Sequence, residues 1–216
     1  MNGTAILPVK RFSLAKRRLE EGLRAEPRER LVEAMLADVL AALDHTRRVE
    51  RVLAVTAEPR AAAAARERGA EVIDDSGHVG HSRAAALGVV RALELGASAV
   101  ALLPGDCPLL DPEELDGALD SFGEGRVTIV PDRHGTGTNA LLLSPPDAIR
   151  PAFGEGSRER HERLARAAGR EVAIEPLCSL ALDVDTPDDL ARLRELLAAD
   201  PLRAPRTVSA LPAHAA

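Results

Sequence analysis

Apolar residues fall along this chain in two alternating styles. Short, nearly unbroken blocks at 4–9, 51–56, 72–73 and 99–103 are separated by longer stretches in which apolar positions recur every three or four residues. A continuous apolar block bounded by turn residues reads as a strand covered on both faces, and the three-to-four spacing reads as a helix. Leu31, Met35, Val39 and Leu40 carry that spacing most clearly and predict a helix over 28–43. Further helices are predicted over 59–68, over 82–95 with Gly96 as the stop, and from Pro112, where Glu113 and Glu114 occupy a first turn favoured for acids. Strand and helix alternate through the first 120 residues, so the expected fold is α/β: a three-layer, Rossmann-like, mostly parallel sheet.

The pattern changes character after that. Predicted strands at 127–130 and 139–143 flank the glycine-rich connection Arg133-His134-Gly135-Thr136-Gly137-Thr138, and Phe153-Gly154-Glu155-Gly156-Ser157 leads into a charged helix ending near 168. Strands are expected at 172–174 and 180–184. Thr186-Pro187-Asp188-Asp189 then opens a last helix to about 199, with a threonine cap, proline at the first helical position and an acid at the third. Residues 200–216 hold three prolines and little periodicity, and read as a loose tail behind one domain over 1–199.

Composition narrows the function classes. A net charge of −6 gives no basic footprint for nucleic acid, and three phenylalanines without tryptophan or tyrosine offer few stacking platforms. No apolar run reaches the roughly 18 residues of a membrane span. The start of the chain lacks a basic segment followed by an apolar one, so no secretory signal is expected. Two cysteines, Cys107 and Cys178, do not make a disulfide framework; a cytoplasmic location is expected.

The candidate chemistry lies where strands end. Ala99 to Leu103 runs into Pro104-Gly105-Asp106, and Leu180-Ala181-Leu182 runs into Asp183-Val184-Asp185. Ligands of open α/β sheets bind beyond the carboxyl ends of the strands, and aspartates meeting there from two strands suit Mg²⁺ and the phosphates it carries. Asp106 has the simpler reading of a helix cap, but its place at the end of an apolar strand favours a metal-bridging role. Two apart in a strand, Asp183 and Asp185 would share a face. Lys10, Lys16 and Arg18 form a cationic loop after the first strand that can clamp a triphosphate or be a solvated turn. The Gly135–Asn139 loop and the Gly154–Ser157 helix start each suit an anion, and each also fits an ordinary turn or cap. Asp74 and Asp75 read as strand-end turn residues. The P-loop, dinucleotide and nucleophile-elbow motifs are absent, and six scattered histidines lack zinc-ligand spacing.

In order, Pro8-Val9-Lys10, Ala15-Lys16-Arg17-Arg18-Leu19, Pro104-Gly105-Asp106-Cys107-Pro108-Leu109, Gly135-Thr136-Gly137-Thr138-Asn139, Phe153-Gly154 with Ser157, and Leu182-Asp183-Val184-Asp185-Thr186-Pro187 resemble the phospholactate/phosphoenolpyruvate guanylyltransferases of deazaflavin coenzyme F420 biosynthesis, the CofC/FbiD family. The resemblance spans about 4–196 and implies the nucleotide-diphospho-sugar transferase (GT-A-like) form of the fold. It implies transfer of GMP from GTP to phosphoenolpyruvate, with 2-phospho-L-lactate and 3-phospho-D-glycerate as alternative acceptors. By the same resemblance Asp106, Asp183 and Asp185 hold Mg²⁺, the choice within the latter pair staying open. Thr138, Gly154 and Ser157 hold the acceptor, and Lys10, Lys16 and Arg18 the triphosphate. Lys16 and Asp106 are the expected catalytic pair. Gly80-His81-Ser82-Arg83 departs from the Leu-Asn frequent in relatives, and this segment, with Ser82, is expected to touch base or ribose.

Expected partners are therefore GTP and a phosphorylated three-carbon acid, with hand-over to the pathway's next transferase and a homodimer as further expectations, and neither nucleic acid nor membrane. Two competing readings are a molybdenum-cofactor nucleotidyltransferase, which would carry a glycine-rich first loop, and a non-catalytic nucleotide-binding α/β domain.

Overall fold

The computed structural model describes residues 3–19, 24–76, 80–121 and 123–212. Seven strands form one mixed sheet: β1 (Gly3–Val9), β2 (Val49–Thr56), β3 (Glu71–Ile73), β4 (Ala99–Leu102), β5 (Arg126–Pro131), β6 (Thr138–Leu143) and β7 (Glu171–Ile174), in the order β3-β2-β1-β4-β6-β5-β7. The β3-β2-β1-β4 half and the β5–β7 pair are parallel, whereas β6 runs antiparallel to both of its neighbours.

Side-chain alternation along each central strand feeds two cores. Ala5, Leu7, Ala101, Leu103, Ala140 and Leu142 face a layer of α1 (Ala25–Leu43), α2 (Pro59–Glu67), α4 (Pro112–Asp120) and α6 (Pro187–Ala199). Ile6, Val100, Leu102, Leu141 and Leu143 face α3 (His81–Glu94) and α5 (Ser157–Ala167). Burial on both faces explains why these strands carry no polar alternation, and the expected three-layer sheet is what forms. α3 reaches β1 closely because Gly88 has no side chain: a Cβ there would lie 2.3 Å from Ile6 Cγ2. The predicted capping box opens α6, with Thr186 Oγ1 accepting from the Asp189 amide at 3.2 Å and Asp189 Oδ2 accepting from the Thr186 amide at 2.7 Å.

Two expectations are corrected. The stretch 180–184 is not a strand. Leu180, Leu182 and Val184 do alternate into the core, but the carbonyls of Leu180 and Ala181 are taken by the Asn139 side chain, at 2.7 and 3.4 Å, and that of Ala181 also by the Arg133 amide. With those acceptors occupied no ladder forms, and after a 3-10 turn at Cys178–Leu180 the segment crosses the carboxyl edge of the sheet as an irregular strap, with Ala181 in the helical region and the Asp185 amide donating to the Asp183 carbonyl at 3.1 Å. Residues 205–210, expected within a loose tail, form helix α7 (Pro205–Ala210) packed on α1. The buried Asp38 carboxylate of α1 accepts from the Thr207 amide at 2.7 Å and the Arg206 amide at 3.3 Å, and pairs with the Arg206 guanidinium.

Candidate active site

Three segments converge at the carboxyl edge of β1 and β4. After β1 the chain turns through two short 3-10 segments, Phe12–Leu14 and Arg17–Leu19, with Lys16 between them at φ +55°. Phe12 anchors this loop: its ring is fully buried beneath the Arg60 guanidinium, and its amide donates to Glu58 Oε2 at 3.0 Å. A left-handed backbone is costly for any residue with a Cβ. Here it accompanies an ammonium group, 4% exposed, that donates to Asp106 Oδ2 and to Asp185 Oδ1, the latter at 2.6 Å.

The electrostatics follow from that triangle. Burial alone would push the Lys16 ammonium down, but Asp106 and then Asp185 outweigh it and hold it above the usual lysine range. Burial would raise the Asp106 carboxyl, and Lys16 reverses that and holds it below its ordinary value. Asp183 goes the other way: burial raises it first, and the negative charges of Asp106 and Asp185 add to the rise. Its Oδ1 accepts from Asn139 Nδ2 at 3.4 Å. Asp183 and Asp185 therefore play unlike parts, one against Asn139 and one against Lys16. Cys107 is fully buried, and burial pushes its thiol well up, so it is a packing residue rather than a nucleophile.

Lys16, Asp106 and Asp185 line a cavity of about 340 Å³ together with Pro8, Val9, Lys10, Leu14, Arg18, His81 and Gly105, whereas Asp183 is not among its lining residues. A second cavity of about 130 Å³ shares Pro8, Val9, Lys10, Leu14 and His81 with the first and adds Arg11, Ala57, Asp75, Gly80 and Ala84. Lys10 and Arg18 both line the larger cavity. Ser82 lines neither cavity; its hydroxyl donates to the Phe153 carbonyl at 3.5 Å, and the neighbouring His81 faces both spaces instead. Burial, and then Lys10, lower the His81 pKa to about 4, so the His81 ring is uncharged at neutral pH.

Thr138, Gly154 and Ser157 gather around the start of α5. The Ser157 amide donates to the Gly154 carbonyl at 3.0 Å, and Gly154 takes φ +114°, a backbone closed to most other residues. Thr138 is joined to α5 by a residue that sequence reasoning missed. His161 is fully buried, and its Nε2 accepts from the Ala152 amide at 2.9 Å. Burial, with Arg160 second, lowers its pKa to about 4. The neutral ring must then carry its proton on Nδ1, which donates to Thr138 Oγ1 at 3.0 Å. That leaves the Thr138 hydroxyl proton to be given to a ligand. The available signal was the spacing of Ser157 and His161, four apart on one helix face. Phe153 packs edge-on against both His81 and His161, at 4.8 and 5.2 Å, and links this corner to the two cavities.

Among the described residues no group of three or more His, Cys, Asp or Glu side chains could hold a metal ion. The donor set nonetheless fits a hard cation supplied with substrate phosphates. Asp106 and Asp185 already direct one oxygen each at a common positive group, the Lys16 ammonium. Two carboxylates with remaining ligands from phosphates and water is the way Mg²⁺ is commonly bound.

Solved structures with the same fold include an inferred nucleotide-diphospho-sugar transferase from Desulfovibrio desulfuricans, with TM-score 0.76 and 20% identity, covering 98% of this chain and 94% of that one. A cytidylyltransferase from Leptospira borgpetersenii superposes with TM-score 0.63 at 17% identity, over 98% of this chain and 92% of the other. These likenesses place the chain in the nucleotide-diphospho-sugar transferase fold class. Within that class, residues 3–197 match the family described as "Guanylyl transferase CofC like", and the chain belongs to it. It is 52% identical over 200 residues to the phosphoenolpyruvate guanylyltransferase of Conexibacter woesei, covering 92% of this chain and 90% of that one. It is 40% identical over 196 residues to the enzyme of the same name from Sphaerobacter thermophilus, covering 89% and 93%. No helix among the described residues is long and apolar enough to cross a membrane.

Proposed function

We propose that this chain transfers GMP from GTP to phosphoenolpyruvate, giving enolpyruvyl-diphospho-guanosine and pyrophosphate, as a step in coenzyme F420 biosynthesis. The observation that carries the reading is the buried Lys16 ammonium held between Asp106 and Asp185 at the wall of a cavity that Lys10 and Arg18 also line. Such an arrangement handles a substrate with several negative charges, and the names of the two relatives supply the base and the acceptor.

A phosphate oxygen of phosphoenolpyruvate forms a new bond to the α-phosphorus of GTP as the bond to the β-phosphate oxygen breaks, and pyrophosphate leaves with that electron pair. The acceptor phosphate is already anionic, so no general base is needed. Lys10 and Arg18 hold the β- and γ-phosphates by charge-assisted hydrogen bonds. Lys16 neutralises charge developing around the α-phosphate, and its buried, pre-set position means little reorganisation as charge moves. Thr138, through its free hydroxyl proton, and Ser157, through the start of α5, bind the acceptor, and Gly154 shapes the backbone around it. Bound Mg²⁺, held by Asp106 and Asp185, would supply further charge neutralisation and a template for the phosphates.

The test is initial-rate pyrophosphate release with Mg²⁺ and GTP, offering phosphoenolpyruvate, 2-phospho-L-lactate and 3-phospho-D-glycerate separately, alone and coupled to the pathway's next transferase. The reading expects phosphoenolpyruvate to give the highest kcat/KM. A higher value for either other acid would replace the acceptor, and no release in either format would sink the reaction.

A further inference from the structure

We propose that Asp75 is the residue that selects guanine. The assignment rests on the guanylyl-transfer reading for the presence of a nucleotide and goes beyond it in placing the base. The smaller cavity lies beside the larger one and shares five wall residues with it, so the two are close enough for one nucleotide to reach both. Its lining is the more apolar of the two. The larger space holds the charged groups Lys16, Arg18, Asp106 and Asp185, and is the place for phosphates. The smaller is faced by Pro8, Val9, Leu14 and Ala84, with Ala57 and Gly80 leaving room, as suits a flat heterocycle, and it is lined also by the charged groups Lys10, Arg11 and Asp75.

One polar feature in the smaller space is unexplained by the fold. Asp75 Oδ1 is shielded from water and has no hydrogen-bond partner. Among the described residues with such an orphaned side-chain atom, Asp75 alone lines either cavity, and it is the only carboxylate. Buried acceptors are normally satisfied, so an orphan beside a cavity points to donors brought by a ligand. Guanine presents two parallel donors on one edge, N1–H and the 2-amino group, and a carboxylate accepts both. Adenine offers an N1 lone pair at the same place and would be repelled. Cytosine and uracil are smaller and present no comparable donor pair.

Equilibrium binding of GDP, IDP, XDP and ADP to the full chain, read by calorimetry, tests this without requiring turnover. Loss of the 2-amino donor should make IDP bind about tenfold or more weaker than GDP to the unmodified protein, a comparison that needs no variant. In Asp75→Asn, whose amide can give a hydrogen to a carbonyl oxygen, GDP should weaken at least tenfold and XDP should become the better ligand. Equal binding of GDP and IDP by the unmodified protein, an unchanged GDP-to-XDP ratio in Asp75→Asn, or no binding of any of the four would overturn the assignment. Selective GDP binding with no turnover on any acceptor would uphold Asp75 and instead remove the transfer reading.

Discussion

Replacing Lys16 by methionine separates a catalytic ammonium from a structural one. The side chain is 4% exposed, while Asp106 and Asp185 are 31% and 48% exposed. Removing one partner of a fully buried ion pair costs roughly 3–5 kcal/mol, because the other charge is stranded. Here both carboxylates reach water and can hydrate, so the stability loss should be nearer about 1 kcal/mol, the upper end for exposed pairs. For a chain of this length that lowers Tm by about 2–4 °C and leaves it folded at 25 °C. The loss in catalysis should be far larger. A preorganised group facing developing charge is worth about 10²–10³ in kcat. Methionine keeps most of the volume and leaves the φ +55° backbone no worse placed than lysine does. The assay is steady-state pyrophosphate release beside a thermal melt. Turnover within threefold of the unmodified protein would show that Lys16 only ties two carboxylates together, and the mechanism above would be refuted.

Other perturbations have distinct signatures. His161→Gln should raise the KM for phosphoenolpyruvate more than tenfold with a smaller change for GTP, because Thr138 loses the partner that fixes its proton. Because His161 is held neutral, with a pKa lowered from 6.5 to about 4, the unfolded chain binds the extra proton first as pH falls. The His161 contribution to stability should therefore be full above pH 6.5 and decline between 6.5 and 4 by about 3 kcal/mol, beside a like decline from His81, whose pKa is lowered in the same way. Urea melts of His161→Gln should show a shallower overall decline, and an identical one would contradict the burial argument. Gly88→Ala should cost about 1–3 kcal/mol by forcing α3 off Ile6, measured by chemical denaturation. Asp38→Ala should release α7, exposing 203–212 to limited proteolysis while kcat/KM stays within twofold; unchanged protection would show that the helix is held by packing alone.

How much of this was legible in the sequence differs between elements. The apolar blocks of β1, β4 and the second half of β2 announced themselves because burial on both faces leaves few polar positions to mislead. The same rule misread 180–184, whose burial is real but whose carbonyls go to Asn139 and Arg133 rather than to a neighbouring strand. α7 escaped notice because six residues are too few for a period, and its anchor, Asp38, sits far away in sequence. In the site, the carboxylates and the basic loop were visible as residue types at strand ends. Their partition was not: that Lys16 takes Asp185 while Asn139 takes Asp183 depends on the strap's path. His161 and Asp75 were hidden for a related reason, since each matters through a neighbour or a cavity that only the folded chain assembles.

The central claim is that one chain joins a nucleotide to a phosphorylated acid at the Lys16–Asp106–Asp185 cluster. ³¹P NMR of a mixture of protein, Mg²⁺, GTP and phosphoenolpyruvate observes that bond directly. The account predicts the paired doublets of an unsymmetrical diphosphate growing in step with pyrophosphate, and their absence when Asp106→Asn replaces the unmodified protein. Diphosphate formed equally well by Asp106→Asn, or GTP left intact by the unmodified protein, would contradict it.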